Sequence, residues 1–439
     1  MQTRPRMQAP RHTLLSLAIV GAALLPGRVG AIDLDYELSV GVTHNSNIIL
    51  SEYDEISETT LAPGIDFSFV HEGRSVDATA RGNVRYLHYT SGTFDDEVRS
   101  GFSGHLRWRA LPERLDFMVD DYLSQQPVNI LSPLTPSNTQ RVNVLVGGPT
   151  LYLRFGDRTR GQLDLRYTRN EAEETADFDG HRLNGAFRVL HDLTPTSRAS
   201  FNVEANQVEF DDTTVSSDYD RWDVYGNYQR NLNDFDASLD LGYSRLDVVD
   251  GAGHDAPLAR LALDWRLSAE TSLSASLDYQ FSDTARSLVA TPIGPDLPVG
   301  TDIDVSGTIV SSDPYRQKRA EIGFQHATPR YAFDATVFHE QAEYIEADDF
   351  DNRFSGAYVG YTHRFNALTD LNLTADYQRR EYETLDRLDR DLTLGIGIER
   401  RFTRHLTGRF NLLRRTRDSS VQGFSYDDNA ALVSIAYRR

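Results

Sequence analysis

Apolar and polar side chains alternate along the chain in short runs, from about Leu34 to the last residue. Two clear runs are Leu273–Phe281 and Thr369–Tyr377, in each of which nearly every second side chain is apolar. A period of two places one set of side chains on each face of a β-strand. The runs are joined alternately by short and long connections, as expected for consecutive antiparallel hairpins.

This repetition predicts an all-β fold, a transmembrane antiparallel up-and-down β-barrel of about twenty strands, or about eighteen if two boundaries are misplaced. Short connections such as Asp192–Ser197 would be periplasmic turns, and long acidic ones such as Glu171–Gly180 would be outer loops. A soluble β-sandwich also alternates, but it would rarely use so many strands in one domain. Tyr167, Tyr243 and Tyr377 fall late in their runs, at positions typical of the aromatic girdles of membrane barrels.

The amino-terminal segment predicts a secretory signal peptide. Three arginines precede an apolar run and a small-residue cleavage pattern: Arg4, Arg6 and Arg11, then Leu14–Leu25, then Val29-Gly30-Ala31. A retained membrane anchor is the alternative, but the run is shorter than the ~20 residues that span a bilayer. We therefore expect residues 1–31 to be removed and residues 32–439 to form one barrel domain. The expected location is the cell outer membrane of a Gram-negative bacterium, reached with the help of the barrel-assembly machinery.

The composition excludes some classes of partner. The formal net charge is −20, which argues against nucleic acid because phosphate neutralisation needs a basic face. The chain has no cysteine, so it has neither disulfides nor thiol chemistry. The mean hydropathy of −0.47 is compatible with a membrane barrel, in which only every second strand residue faces lipid. Outer-membrane lipid and lipopolysaccharide are the expected surroundings.

The predicted lumen face is uneven in charge. Arginines from the third to the eighth strand would form a basic wall: Arg81, Arg85, Arg107, Arg109, Arg154, Arg166, Arg182 and Arg188, together with Arg99. Carboxylates from the ninth strand onward would form an acidic wall: Glu204, Asp223, Asp236, Asp240, Asp278, Asp334 and Asp376. Opposed walls would create a transverse field that orients polar solutes. Alternatively, these side chains pair with one another inside an occluded barrel.

The longest connection, Asp283–Pro314, contains Pro292, Pro295 and Pro298 among several glycines, a density that excludes a central strand. A connection of this length is usually functional or disordered. It would either fold into the lumen and narrow the pore or stay a mobile outer loop.

The sequence predicts no catalytic, cofactor or metal site. The nucleophile elbow, the His-Glu-x-x-His motif, the phosphate loop and the dinucleotide fingerprint are all missing from it. The acidic clusters Glu171–Asp179 and Glu343–Asp351 lack the ligand spacing of a calcium loop and are interpreted as solvated faces. We therefore expect a protein that is not an enzyme.

Three segments carry a family resemblance. They are Gly41–Ile48 with Leu61–Ile65, Gly147–Pro149 with Leu153–Gly156, and Val310–Arg316. Together they resemble the β-barrel porin family of outer-membrane proteins associated with exopolysaccharide loci and the PEP-CTERM protein-sorting system. The resemblance implies an outer-membrane exit for exopolysaccharide, with periplasmic export components as partners. It carries no catalytic residues.

Three functions remain open from the sequence. The leading hypothesis is a porin-like barrel that assists exopolysaccharide export across the outer membrane. The second is a general or anion-biased diffusion porin, which the arginine wall would favour. The third is a structural or surface-binding barrel with an occluded lumen.

Overall fold

Twenty antiparallel strands close into one barrel in the computed structural model, which describes residues 32–214, 216–290 and 309–439. Each strand pairs with its neighbours in sequence, and β1 pairs with β20 to complete the cylinder. The predicted all-β barrel of about twenty strands is confirmed. The predicted signal peptide, residues 1–31, lies outside the described residues.

The strands have the following bounds: β1 Ile32–Asn45, β2 Glu58–Glu72, β3 Val76–Tyr89, β4 Glu97–Leu111, β5 Leu115–Pro127, β6 Thr139–Arg154, β7 Thr159–Ala172, β8 Gly180–Thr194, β9 Ser197–Phe210, β10 Tyr219–Asn231, β11 Phe235–Val248, β12 Gly253–Arg266, β13 Thr271–Ser282, β14 Tyr315–Ala327, β15 Tyr331–Tyr344, β16 Asn352–Asn366, β17 Thr369–Tyr382, β18 Arg387–Arg401, β19 Leu406–Ser419 and β20 Tyr426–Arg438. One short helix, α1, spans Thr284–Ala290, and 3-10 turns occupy Pro136–Asn138, Ala176–Phe178 and Asp348–Phe350. None of the helices in the described part of the chain is long and apolar enough to cross a membrane.

The outer face of the cylinder is apolar and exposed. On β1, Val40 is 52% exposed, whereas the neighbouring Ser39, which points to the lumen, is only 4% exposed. The register keeps this division across strands, because Val40 lies opposite Pro63 and Val42 opposite Leu61 on β2. A closed antiparallel barrel with an apolar exterior is the architecture of outer-membrane proteins, in which lipid covers that face.

Towards the outer end of the barrel, the polarity of the two faces reverses. On β11, Leu241 and Tyr243 are exposed on the outer face, and the next residues on that face are the ion-paired Arg245 and Asp247. On the lumen side of the same strand end, Leu246 and Val248 are buried in an apolar cluster that also contains Tyr219, Phe281, Val208, Phe210 and Ala256. An apolar core inside a barrel excludes water, so the outer part of the lumen beside β9 to β13 is packed rather than open.

Strands β6 and β7 approach closely at Gly148, part of the Gly147-Gly148-Pro149 segment. Gly148 has a φ of +156°, and a Cβ placed there would lie 2.0 Å from the carbonyl oxygen of Leu165. The side chain of Arg166 uses this close approach, since its Nη1 donates a hydrogen bond to the carbonyl of Pro149. Glycine is therefore required at this position for β6 and β7 to pair.

Replacing Gly148 by alanine should lower the free energy of unfolding by about 3 kcal/mol, because the Cβ must displace the β7 backbone and strain its own φ. Urea unfolding of the barrel in lipid vesicles measures the change. Gly156→Ala is the control, since a Cβ there meets no atom within 4 Å. Equal unfolding midpoints for the two variants would contradict this account of the β6–β7 contact.

Candidate functional site

At its outer end, β13 separates from β12 and bends into the lumen, and the long connection to β14 begins there. The last residue pair between β12 and β13 is Ala259 with Tyr279, although β13 continues to Ser282. Beyond this point, the carbonyl of Phe281 accepts a hydrogen bond from Nη1 of Arg221 on β10 at 3.3 Å. The chain then enters α1. We call the described residues 283–290 and 309–314 of this connection the inserted segment.

The inserted segment reaches a distant wall of the barrel. Ala285 and Leu288 of α1 pack against Val142 and Val144 of β6, together with Phe178 from the connection between β7 and β8. Because β6 lies seven strands away from β13 around the cylinder, the segment must cross the lumen to make this contact. Of the two sequence interpretations of this connection, the described residues therefore show the inward-folded one. Residues 291–308 lie outside the described part.

A second connection, residues 128–138 between β5 and β6, also crosses the lumen, and we call it the crossing loop. Asn138 ties the loop together, since its Nδ2 donates to the carbonyl of Asn129 at 2.8 Å. On the far wall, the carbonyl of Leu131 accepts a hydrogen bond from Nη1 of Arg387 at 2.6 Å. Ile130 packs beside Ile309 of the inserted segment in one apolar cluster. The two connections thus meet inside the barrel and close its outer end.

A buried charge cluster holds the inserted segment in place. Asp283 is paired with Nη2 of Arg182 on β8 at 2.7 Å, and Nη1 of Arg221 lies 3.9 Å from its second oxygen. The side chains of Asp283 and Arg221 are only 6% and 4% exposed. Asp283 also accepts the backbone N–H of Arg286, at 3.0 Å. We call Arg182, Tyr219, Arg221 and Asp283 the Asp283 cluster; Tyr219 accepts a hydrogen bond from Arg182.

A second ionic network follows the wall below the inserted segment. Asp164 on β7 accepts from Thr150 at 2.6 Å and from Nη2 of Arg166 at 3.0 Å, and it also bonds Arg188 on β8. Arg188 in turn donates to Glu204 on β9 at 2.9 Å. Carboxylates between guanidinium groups are stabilised by charge-assisted hydrogen bonds, which stiffen this side of the lumen.

The residues of both predicted walls lie on the lumen side of their strands, but most of the basic ones are neutralised locally. Six of the arginines pair with carboxylates: Arg85 with Asp66, Arg107 with Asp116, Arg109 with Asp77, Arg166 with Asp164, Arg182 with Asp283, and Arg188 with Asp164 and Glu204. Arg81 and Arg154 form no ion pair with the described residues. Arg99, too, is paired, with Glu97. The basic wall is therefore mainly a row of ion pairs, and most of its positive charge is compensated.

The acidic wall divides into two groups. Glu204, Asp223 and Asp240 pair with Arg188, Arg221 and Arg260. Asp236, Asp278, Asp334 and Asp376 form no ion pair within the part of the chain that the structure describes. The sequence interpretation missed Arg221 and Arg260, which the alternation of β10 and β12 would have placed on the lumen face. Among the described residues, no three His, Cys, Asp or Glu side chains form a group suited to a metal ion.

The Asp283 cluster should keep its charge at any pH the protein meets. Burial by itself would raise the pKa of Asp283, but Arg182 and Arg221 outweigh it and lower that pKa to about 2. Because the pKa is depressed on folding, the stabilisation is complete above the ordinary value near 3.8 and is lost only as the pH falls towards 2. We expect the bilayer conductance of the wild-type protein to stay unchanged between about pH 7 and pH 5. A reversible rise in conductance over that range would contradict this expectation.

Comparison with known proteins supports the fold but gives no information on the site. No protein-family model matches the chain, and no curated protein matches it. Among solved structures, the ferric enterobactin receptor PfeA of Pseudomonas aeruginosa, in complex with BCV-L6, is 10% identical over 94% of this chain and 82% of its own, with a TM-score of 0.50. The siderophore receptor PirA of Pseudomonas aeruginosa is 11% identical over 94% and 81%, with a TM-score of 0.46. The FrpB iron transporter of Neisseria meningitidis is 10% identical over 93% and 82%, with a TM-score of 0.43. At such low identity the likeness concerns the fold alone, and it is the match to PfeA that supports the large closed barrel.

Proposed function

We propose that this protein is a channel of the Gram-negative outer membrane that the inserted segment holds closed, and that it opens to let exopolysaccharide leave the cell. The observation that carries the proposal is the Asp283 cluster. It fixes a segment inside the lumen with a few buried polar contacts, and such contacts are lost together when the segment moves.

The distribution of charge supports the outer-membrane orientation. Between the strand ends on the side of the long connections, the sequence holds many carboxylates and a single cation, Arg286. The short turns at the opposite end include Arg74, Arg114, Arg158 and Arg404. The acidic charge thus lies on the long connections, and long outer connections opposite short periplasmic turns are typical of outer-membrane barrels. Recovery of the protein with inner-membrane or soluble fractions would contradict this location.

The choice of exopolysaccharide as the exported substance rests on the family resemblance. The closed lumen is what distinguishes this proposal from a diffusion porin. An unregulated diffusion porin needs an open passage, which the inserted segment and the crossing loop obstruct. An occluded structural barrel shares the closure, and both crossing connections favour it as the second candidate. The two differ in one property, because only a channel contains a closure that can be released without unfolding the wall.

Deletion of the gene tests the export function directly. We expect cell-surface polymer to fall in the deletion strain and to return when the wild-type gene is supplied on a plasmid. Polymer is measured both on the cell surface and in the periplasm, because a blocked exit should retain material inside the cell. Unchanged surface polymer would contradict the export function and leave the occluded barrel.

A further inference from the structure

One aromatic side chain stands exposed inside the lumen. Tyr358 lies on β16, and the register places it between Thr336 of β15 and Asp376 of β17, both on the lumen face. It is 37% exposed, whereas Phe354, four residues nearer the outer end, is 6% exposed and packs against Phe338. The Tyr358 ring is therefore open to the lumen below the closed outer end, on the side that faces the periplasm.

Two carboxylates flank this ring. Asp376 is the direct cross-strand neighbour of Tyr358, and Asp334 lies opposite Gly360, two residues along β16. A Cβ on Gly360 would lie 2.5 Å from Oδ1 of Asp334, so the Asp334 carboxylate lies across β16 beside the tyrosine. Both acids are within electrostatic range of the Tyr358 hydroxyl. Neither forms an ion pair with the described residues, and the one side-chain hydrogen bond, from Gln378 to Asp376, leaves most acceptor positions free.

The wall around the ring is made of small side chains. Gly323, Gly360, Gly395 and Gly397 lie on the lumen face of β14, β16 and β18, and Thr336 and Thr374 lie between them. The Phe338 ring lies over Gly356 on the outer side of Tyr358. On the opposite side, towards Gly360, the small residues project little from the backbone and leave room for a flat ligand against the Tyr358 ring.

We propose that Tyr358, Asp334 and Asp376 form a binding site for uncharged sugar units of a polysaccharide. The C–H groups on one face of a pyranose pack on an aromatic ring, and its hydroxyls donate charge-assisted hydrogen bonds to carboxylates. Two carboxylates without cationic partners repel an anionic sugar, so the site selects neutral units. The inference deepens the proposed export function by naming the substrate class, but binding is measured without any transport.

The experiment uses the full-length mature barrel, purified in detergent, and isothermal titration with three probes: cellohexaose, maltohexaose and hexagalacturonate. We expect at least one neutral hexasaccharide to bind, and to bind at least tenfold more tightly than the anionic one. Tyr358→Ala should weaken that binding at least tenfold, Tyr358→Phe less than threefold, and Asp376→Asn to an intermediate extent. Tyr152→Ala is the matched control, because Tyr152 is a lumen tyrosine on β6, in the arginine-rich wall opposite Tyr358. Its hydroxyl is hydrogen-bonded to Arg107 and Asp116.

Each outcome decides the proposal. Failure of both neutral probes to bind, preference for hexagalacturonate, or equal weakening by Tyr152→Ala would overturn it. Heat-modifiable migration on gels shows that each variant is folded, and Tyr358→Phe keeps the ring if Tyr358→Ala fails that check. Binding without any loss of surface polymer in the deletion strain would contradict the export function alone, whereas export without binding would contradict the sugar site alone.

Discussion

Asp283→Ala should open the channel, raising the conductance in planar lipid bilayers at least tenfold over the wild type. Removal of one partner from a buried ion pair costs about 3–5 kcal/mol, since the remaining charge is left without compensation. Here Arg182 would lose its carboxylate, whereas Arg221 would keep Asp223. The uncompensated guanidinium of Arg182 would lie in a lumen where it is hydrated only if the inserted segment moves away. Opening relieves that cost, and a shift of this size changes the ratio of open to closed channels by about two to four powers of ten.

The control is Asp349→Ala, which removes a carboxylate from another outer connection where the side chain is exposed. It should leave the conductance unchanged, because an exposed charge contributes little. Arg182→Ala should open the channel as Asp283→Ala does, since it breaks the same pair from the wall. If both cluster variants stay silent while folded, the lumen is closed by more than this cluster and the occluded structural barrel is favoured.

The alternation of side chains was sufficient to predict the barrel because the physical constraint is local. Leu241 must face lipid and Asp240 must face the lumen whatever the rest of the chain does, and a register slip would reverse both. Chain order then fixes the topology, since each short turn joins two neighbouring strands. The lumen positions of Arg188 and Glu204 follow from the same argument, strand by strand.

The closure could not be predicted because its contacts join residues far apart in sequence. Nothing near Phe281 indicates that its carbonyl bonds Arg221, and nothing near Leu288 indicates Val144 as its neighbour. The pairing of the basic wall has the same origin. Alternation shows that Arg188 faces the lumen, but only the structure shows that it bonds both Asp164 and Glu204.

The tyrosine at the proposed sugar site illustrates a further limit. Both faces of β16 carry aromatic residues, since Tyr358 lies on the lumen face and Tyr361 on the outer face. The alternation of apolar and polar residues therefore does not show which face Tyr358 occupies. An aromatic residue of a barrel strand suits the interfacial girdle equally well. The register resolves the question, because Tyr358 pairs with Asp376 and Tyr361 pairs with Leu373.

Asp164→Ala should lower the free energy of unfolding by about 3–5 kcal/mol, the largest effect that we expect from a wall residue. Its carboxylate is 5% exposed and compensates Arg166 and Arg188 together, so its removal leaves two half-buried guanidinium groups with fewer acceptors. The free energy is measured by urea unfolding in lipid vesicles, where the folded and unfolded populations can be followed by tryptophan fluorescence. Asp164→Asn should recover part of the loss, because an amide oxygen still accepts from Thr150.

Asp236→Ala provides the matched control, as it removes an exposed lumen carboxylate that forms no ion pair with the described residues. Its free energy of unfolding should stay within about 0.5 kcal/mol of the wild type. The effect of Asp164→Ala should also persist in high salt, since buried pairs are screened much less than exposed ones. Equal losses for the two variants would show that lumen carboxylates act through net charge, and the wall network would then have no special part in stabilising the barrel.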